Sequence, residues 1–403
     1  MISPGYPGEI PRFTRALAAV GARVFGVGDQ PQSALPDMAR EAVTAHMRVA
    51  SLWDEDAVLR EVLGEARRHG VKFDRVECLW EPAMELAARL REATGCPGLT
   101  LEQTRRFRDK ELMKQALDAA GIRTPWHRRC RSAEEVRQAV ADCGYPVIVK
   151  PIAGAGSLDT YRVDDQGQLE GIIPALGHVT EVSVEEFVAG DEFTFDTVCA
   201  NGEILFENIS FYRQRPLEEK KHEWVSPSSV CIRNLDLPEL SRGRAMGHAV
   251  IKALGYRAGF THMEWYRRKD GEVVFGEIAA RPPGGHLSEV MNYASDIDLY
   301  LGWAEAVCFG RFSQPIVRKY NAAIVCKRAI GYGRIQRIEG LDELLREFGP
   351  SVAHVDILPI GAMRRDWKTS IMSDGYLIVR HAELQTTLHM AESVAQRLRI
   401  IAG

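Results

Sequence analysis

An Asp-Gly dipeptide at positions 270 and 271 separates two runs of strand-forming residues, Thr261–Lys269 and Glu272–Arg281, a pattern that calls for a tight antiparallel hairpin. A two-residue turn pairs Lys269 with Glu272 and, counting outward, sets Glu264 opposite Glu277. Opposed side chains leave the sheet on the same side with Cβ atoms about 5 Å apart. Two carboxylates at that spacing repel unless one is protonated or a cation lies between them. Alternation sends Ala279 and Arg281 to the same side. The plain alternative is a surface hairpin with two solvated glutamates. Against it, Val273–Ile278 is otherwise apolar on both faces, as in a buried strand, and Pro282-Pro283-Gly284-Gly285 after Arg281 lets backbone come close to a ligand. Hard oxygen donors suit Mg2+, or Mn2+, with water and phosphate oxygens completing the shell. Glu264 and Glu277 are therefore the expected metal ligands.

A second hairpin signal, Asn201-Gly202, stands earlier in the chain. Before both, the first hundred residues alternate between helix and strand patterns. Helices are expected over Pro11–Val20, Asp54–His69 and Pro82–Ala93, and strands over Arg23–Gly28, Met47–Leu52 and Phe73–Trp80, which argues a parallel sheet covered by helices. Only Met1, Ile2 and Ser3 precede the Pro4-Gly5 turn, so the opening strand is stubby or the natural chain starts further upstream. Thr94–Gly98 reads as a linker. Beyond it come helices Asp109–Ala119 and Val136–Cys143 and a short strand, Pro146–Lys150. The last ninety or so residues alternate again, with strands near Ala323–Ala329 and Tyr376–His381 and helices near Leu341–Phe348 and Gln385–Arg397. With 403 residues, three domains are expected: 1–98, 99–310 and 311–403.

Composition narrows the partners. A net charge of −4, with no basic block, gives no electrostatic footprint for nucleic acid or an anionic membrane. The eight cysteines never fall in a C-x-x-C pair, which argues against a zinc site or disulfide frame. No secretory signal or long apolar run is visible, so a cytoplasmic protein acting on small molecules is expected.

Lys150 ends a strand just before Gly154-Ala155-Gly156-Ser157, where successive N–H groups and one cation could converge on a polyphosphate, although an ordinary glycine-rich turn reads the same way. No Walker A loop exists in the chain, and Gly26-Val27-Gly28 lacks the third glycine of a dinucleotide fingerprint. Further on, Val184-Glu185-Glu186-Phe187-Val188-Ala189-Gly190-Asp191-Glu192 joins a strand to the first hairpin. An extended linker of this kind offers backbone groups to an adenine edge, and a carboxylate accepts from an amine or a ribose hydroxyl.

Taken in order, Lys110 in an early helix, the Val-Ile-Val-Lys-Pro strand with its glycine loop, E-E-F-V-x-G-x-E and an acidic pair ending E-x-x-x-R resemble the ATP-grasp superfamily of ADP-forming ligases over about Thr104–Gly310. The resemblance implies an α/β and α+β multidomain fold: an N-terminal Rossmann-like domain, the ATP-grasp domain with a lid over about 126–184, and a small C-terminal α/β domain. It implies that Lys110 and Lys150 hold the ATP phosphates under the Gly154, Gly156 and Ser157 loop. Glu185 would accept the adenine amine, the backbone of Glu186 and Val188 would read the ring edge, and Glu192 would bind the ribose. Glu264 and Glu277 would carry Mg2+, Arg281 would stabilise the transferred phosphoryl group, and His222 with Lys220 would reach the γ-phosphate or substrate, a solvated charged loop being the alternative for those two. The family often has Asn where this chain has Ala279, which points to a weakened second metal site. The implied activity is joining a carboxylate to an amine through an acyl-phosphate, amino-acid or dipeptide-type substrates being one class, with a homodimer as a family-level expectation. The alternatives are a bicarbonate-using carboxylase like biotin carboxylase, whose catalytic Glu has no counterpart in Pro282–His286, and a nonenzymatic ATP-binding module.

Overall fold

The computed structural model describes residues 1–154, 159–219, 221–368, 370 and 373–403. Near the N-terminus, β1 (Val24–Gly28) and β2 (Val43–Arg48) pair in parallel, and Ile2 bridges to both Val27 and Cys78. The opening strand is thus a single bridging residue. Helices Ile10–Ala19, Glu55–His69 and Met84–Thr94 lie close to where their periodicity predicts them, the second capped by the Asp54 carboxylate. Two strand expectations need correction. The strand expected over Met47–Leu52 instead runs Val43–Arg48, so only Met47 and Arg48 of the expected range belong to it; apolar–polar alternation extends back through Val43-Thr44-Ala45. Phe73–Trp80 forms no strand beyond the bridge at Cys78; its apolar residues are held by side-chain packing, and the Cys96 thiol donates to the Phe73 carbonyl.

Strands β3 (His127–Cys130), β4 (Val147–Pro151), β5 (Tyr161–Val163) and β6 (Val182–Glu186) form a four-stranded sheet in the order β3-β6-β4-β5, with its own apolar cluster around Val140, Val149 and Val184. Then come β7 (Asp191–Ala200), β8 (Glu203–Tyr212), β9 (Ser228–Cys231), β10 (Gly259–Arg267), β11 (Val273–Ala279), β12 (Asn321–Lys327), β13 (Ile335–Glu339), β14 (Val352–Ile357), β15 (Gly375–His381) and β16 (Arg399–Ala402). Eight of them make one sheet in the order β11-β10-β7-β8-β9-β12-β15-β14, so strands from either side of position 310 are continuous with each other. The Asn201-Gly202 turn joins β7 to β8 with both residues at positive φ, as a type I′ turn requires.

One side of β7, β10 and β11 is apolar: Phe193, Phe195, Met263, Trp265, Phe275 and Ile278 pack against helix Pro238–Ala253. Alternation places Glu192, Thr194, Asp196, His262, Glu264 and Glu277 on the other side. A sheet with one dry and one polar face, the polar face covered by other parts of the chain, is a scaffold for a site. No helix among the described residues is long and apolar enough to cross a membrane.

The hairpin turn differs from the two-residue expectation. Arg268 donates to the Glu272 carbonyl and Gly271 to that of Arg268, so the loop is Lys269-Asp270-Gly271 with Gly271 at φ +83°. That is the three-residue turn in which glycine supplies the left-handed position, and it shifts the register by one. A bulge opposite Glu264 shifts it back: Trp265 faces Phe275, whereas Glu264 faces Glu277. The extra residue is Gly276, whose Cβ, if present, would lie 2.8 Å from the Glu264 carbonyl oxygen. Gly276→Ala should therefore lose about 1–3 kcal/mol in chemical denaturation, with the register of the acidic pair disturbed; an unchanged midpoint would show that the bulge is not under this constraint.

Candidate functional site

Lys110 opens helix Lys110–Ala119, whose first turn is capped by the Asp109 carboxylate accepting from Glu111 and Leu112. The Lys110 ammonium donates to the Gly154 carbonyl at 2.8 Å and lies 3.0 Å from Glu277 Oε1. Lys150, at the end of β4, reaches Glu185 Oε2 at 3.0 Å and Glu277 Oε2 at 3.7 Å. One turn beyond Lys110, the wholly buried Lys114 pairs with Glu185 Oε1 at 2.8 Å, and the Ser183 hydroxyl donates to the same oxygen. Three ammonium groups and two carboxylates thus converge where the four-stranded sheet meets the polar face of the large sheet.

The local electrostatics follow from this count. Burial opposes a charge on Glu277, but Lys110, Lys150 and Lys114 outweigh it and hold the carboxyl down to about 2. Burial likewise opposes the charge on Lys150, and Glu185 with Glu277 raise it to about 12. Lys114 is pushed down by burial, with Glu185 working against that. Glu192 goes the other way: buried and facing Glu264, it is raised to about 7 despite Arg215.

Glu264 sits in a buried chain of polar groups. Tyr212 donates to its Oε1 at 3.3 Å, and His262 lies 3.7 Å away on one side while bonding Asp196 at 2.6 Å on the other. Asp196 also accepts from the Thr194 hydroxyl and the Asn208 amide. His262 stands directly opposite Ala279 in the register. Burial would discharge the imidazole, but Asp196 and Glu264 raise it to about 9.

Arg281 leaves β11 toward the N-terminal segment. Its Nε donates to Glu81 Oε2 at 2.7 Å and Nη1 to the Pro282 carbonyl. Arg108 binds the other Glu81 oxygen and donates to the Ala153 carbonyl at the foot of the glycine loop. The buried Glu81 therefore ties Arg281 to the loop stem.

The remaining expected residues are placed as follows. The Glu185 carboxylate is turned toward the lysines rather than left open for an incoming amine. The Glu186 N–H already donates to the Trp126 carbonyl, and its carboxylate binds Arg123. Val188 and Glu192 face Arg215. His222 is not drawn into the cluster: it is exposed, its ring stacks on Trp224 and its carbonyl accepts from Arg328. Gly156, Ser157 and Lys220 lie outside the described residues.

Lys114, Glu81, Arg108, Asp196, His262, Tyr212 and Arg215 were absent from the sequence expectation. Lys114 did leave a trace, as a charge four residues after Lys110 and so on the buried side of the helix. The others come together only through pairing between distant segments. A hollow of about 750 Å3 lies elsewhere, beside the hairpin turn among Arg242, Arg267, Lys269 and Asp270; its walls are mostly exposed charges, and none of the converging groups reaches it.

Two opposed carboxylates are suitable hard donors for a divalent ion. Among the described residues no group of three or more His, Cys, Asp or Glu side chains is arranged to hold a metal alone, so remaining positions would fall to water and phosphate oxygens, as Mg2+ accepts.

The profile of the ATP-grasp domain matches residues 115–296. The chain carries an ATP-grasp domain. The L-arginine-specific L-amino acid ligase of Bacillus subtilis is 28% identical over 250 residues, 60% of this chain and 59% of that protein, so the match spans less than two thirds of its length. A formate-dependent phosphoribosylglycinamide formyltransferase of Synechocystis sp. is 27% identical over 84% of this chain and 83% of its own. The crystal structure of an L-amino acid ligase from Bacillus licheniformis superposes with a TM-score of 0.78, covering 98% of this chain and 96% of that one at 22% identity. The ATP-grasp fold therefore extends well beyond the matched profile.

The raised His262 titration has a consequence for stability. A group whose folded value exceeds its ordinary 6.5 contributes fully below pH 6.5 and loses that contribution as the pH rises through about 9. Unfolding free energy measured in urea should fall across this window, and the decline should flatten in His262→Asn. NMR titration of the ring should give a midpoint near 9; one near 6.5 would contradict the assigned environment.

Proposed function

We propose that this ATP-grasp domain runs an ADP-forming ligation of a carboxylate to an amine. A substrate carboxylate oxygen attacks the γ-phosphorus of ATP, the bond to the β,γ-bridging oxygen breaks, and ADP leaves. The amine nitrogen then attacks the acyl-phosphate carbon, inorganic phosphate departs and the amine proton passes to solvent. The meeting of Lys110 and Lys150 on Glu277, with Glu264 opposite it and Arg281 held by Glu81 beyond the same strand, supports this reading, because phosphoryl transfer needs positioning and charge neutralisation more than covalent help from the protein.

In this scheme Lys110 and Lys150 exchange Glu277 for phosphate oxygens, and Arg281, held by Glu81, faces the transferred group. Glu264 and Glu277 would hold Mg2+, or Mn2+ in its place, which supplies charge neutralisation to the polyphosphate. Val188 and Glu192 are proposed as the nucleoside contacts, with the backbone of Glu186 beside them. Glu185 fixes the lysines, in addition to any role toward adenine. Gly154, Gly156 and Ser157 are proposed for the phosphate loop and His222 for a substrate contact made when its loop moves in. The names of the amino-acid ligase relatives favour amino acids as substrates. Residues 1–98, 99–310 and 311–403 are proposed as the working units, with a lid over about 126–184. The proposed setting is the cytoplasm and the proposed assembly a homodimer.

The test is ADP release with Mg2+ across pairs of amino acids. Release should require both a carboxylate and an amine. Bicarbonate-dependent release with no amine would favour the carboxylase reading, and nucleotide binding without any turnover the binding module. Glu277→Gln should lower kcat by at least about 10²-fold while nucleotide affinity falls less. Glu81→Gln should lower kcat about tenfold or more with little change in the nucleotide KM, since it frees Arg281 without touching the nucleotide. Full activity in either variant would contradict the assigned roles.

A further inference from the structure

Arg215 follows β8 and stands just before the short helix Pro216–Glu219, a position where a long cationic side chain would ordinarily point to solvent. It turns inward. Nε donates to Glu192 Oε2 at 2.8 Å and Nη1 to the Val188 carbonyl at 3.0 Å. The guanidinium carbon sits 4.9 Å from the ring centre of Phe187 and 4.8 Å from that of Tyr266. A flat group stacked on aromatic rings, with N–H donors on a backbone carbonyl and a carboxylate, satisfies the contacts a purine nucleoside would make: ring faces for the base, the carbonyl for an exocyclic amine, the carboxylate for ribose hydroxyls. The Glu192 carboxylate is 6% exposed, so it cannot stay charged at low energy without a partner, and Arg215 is its ion-pair partner among the described residues.

We propose that Arg215 occupies the nucleoside part of the ATP site, and that nucleotide binds only as this side chain leaves Glu192 and the Val188 carbonyl. The inference rests on the ATP-binding reading above and adds a competitor built into the chain. The Arg215 carbonyl accepts from the Glu218 and Glu219 N–H groups, and Arg328 holds the carbonyls of Glu219 and His222. These contacts hold the Arg215 backbone in place, so its side chain can turn away from Glu192 without displacing the helix. Because only the fraction of molecules with the pocket open can bind, the measured nucleotide affinity is lowered by that fraction.

The experiment is calorimetric titration of the full chain with ADP and with a non-hydrolysable ATP analogue, both with Mg2+. Arg215→Ala should bind about 3- to 30-fold more tightly than the native protein, and Arg215→Lys should fall between them. In a Glu192→Gln background the same alanine change should give much less tightening, because the contested partner is weakened. Thermal melts establish that each variant folds, and Arg215→Gln takes the place of the alanine variant should that one fail to fold. Unchanged or weaker binding by a folded Arg215 variant overturns the proposal while leaving the ATP reading intact. If the native protein and the variants all bind neither nucleotide, the ATP reading fails and this inference fails with it.

Discussion

Two carboxylates on adjacent strands, Glu264 and Glu277, point to the same side of a sheet and so need positive charge close by. Much of the surrounding structure supplies it. Lys110 and Lys150 lie against Glu277, while His262 and a tyrosine hydroxyl lie against Glu264. The lysines come from separate parts of the chain, one from a helix start and one from a strand end, and are brought together because Glu185 binds Lys150 and the buried Lys114 at once. A site wired in this way can exchange one set of cations for another without leaving a bare negative charge, which is what arrival of a metal-bound polyphosphate demands.

The acidic pair was legible in the sequence, but by a route that was partly mistaken. The Asp-Gly signal implied a two-residue turn, whereas the chain makes a three-residue turn and recovers the register through the bulge at Gly276. Alternation fixed which face each glutamate should occupy, and burial of the neighbouring apolar residues selected that face over the turn geometry. The glycine itself was visible in the sequence, yet nothing local marked it as a bulge rather than as a weak point in a strand.

What the sequence did not disclose is non-local. Glu81 lies two hundred positions from Arg281, and no periodicity connects an acid in one short helical turn with a guanidinium beyond a distant hairpin. Asp196 and His262 meet only because β7 and β10 are neighbours, which places the two residues directly opposite each other. Strand Phe73–Trp80 was expected from its local pattern; tertiary packing gave it an irregular path instead. His222, a site candidate from the sequence, stands apart from the cluster, with its ring on Trp224 and its carbonyl bound by Arg328.

The most direct test of the central claim is a crystal structure with a non-hydrolysable ATP analogue and Mn2+, phased to show the anomalous signal of the metal. The account predicts a peak within bonding distance of both Glu264 and Glu277, with Lys110 and Lys150 turned from Glu277 to phosphate oxygens. A metal held elsewhere, with both lysines still paired to Glu277 beneath the bound nucleotide, would contradict it.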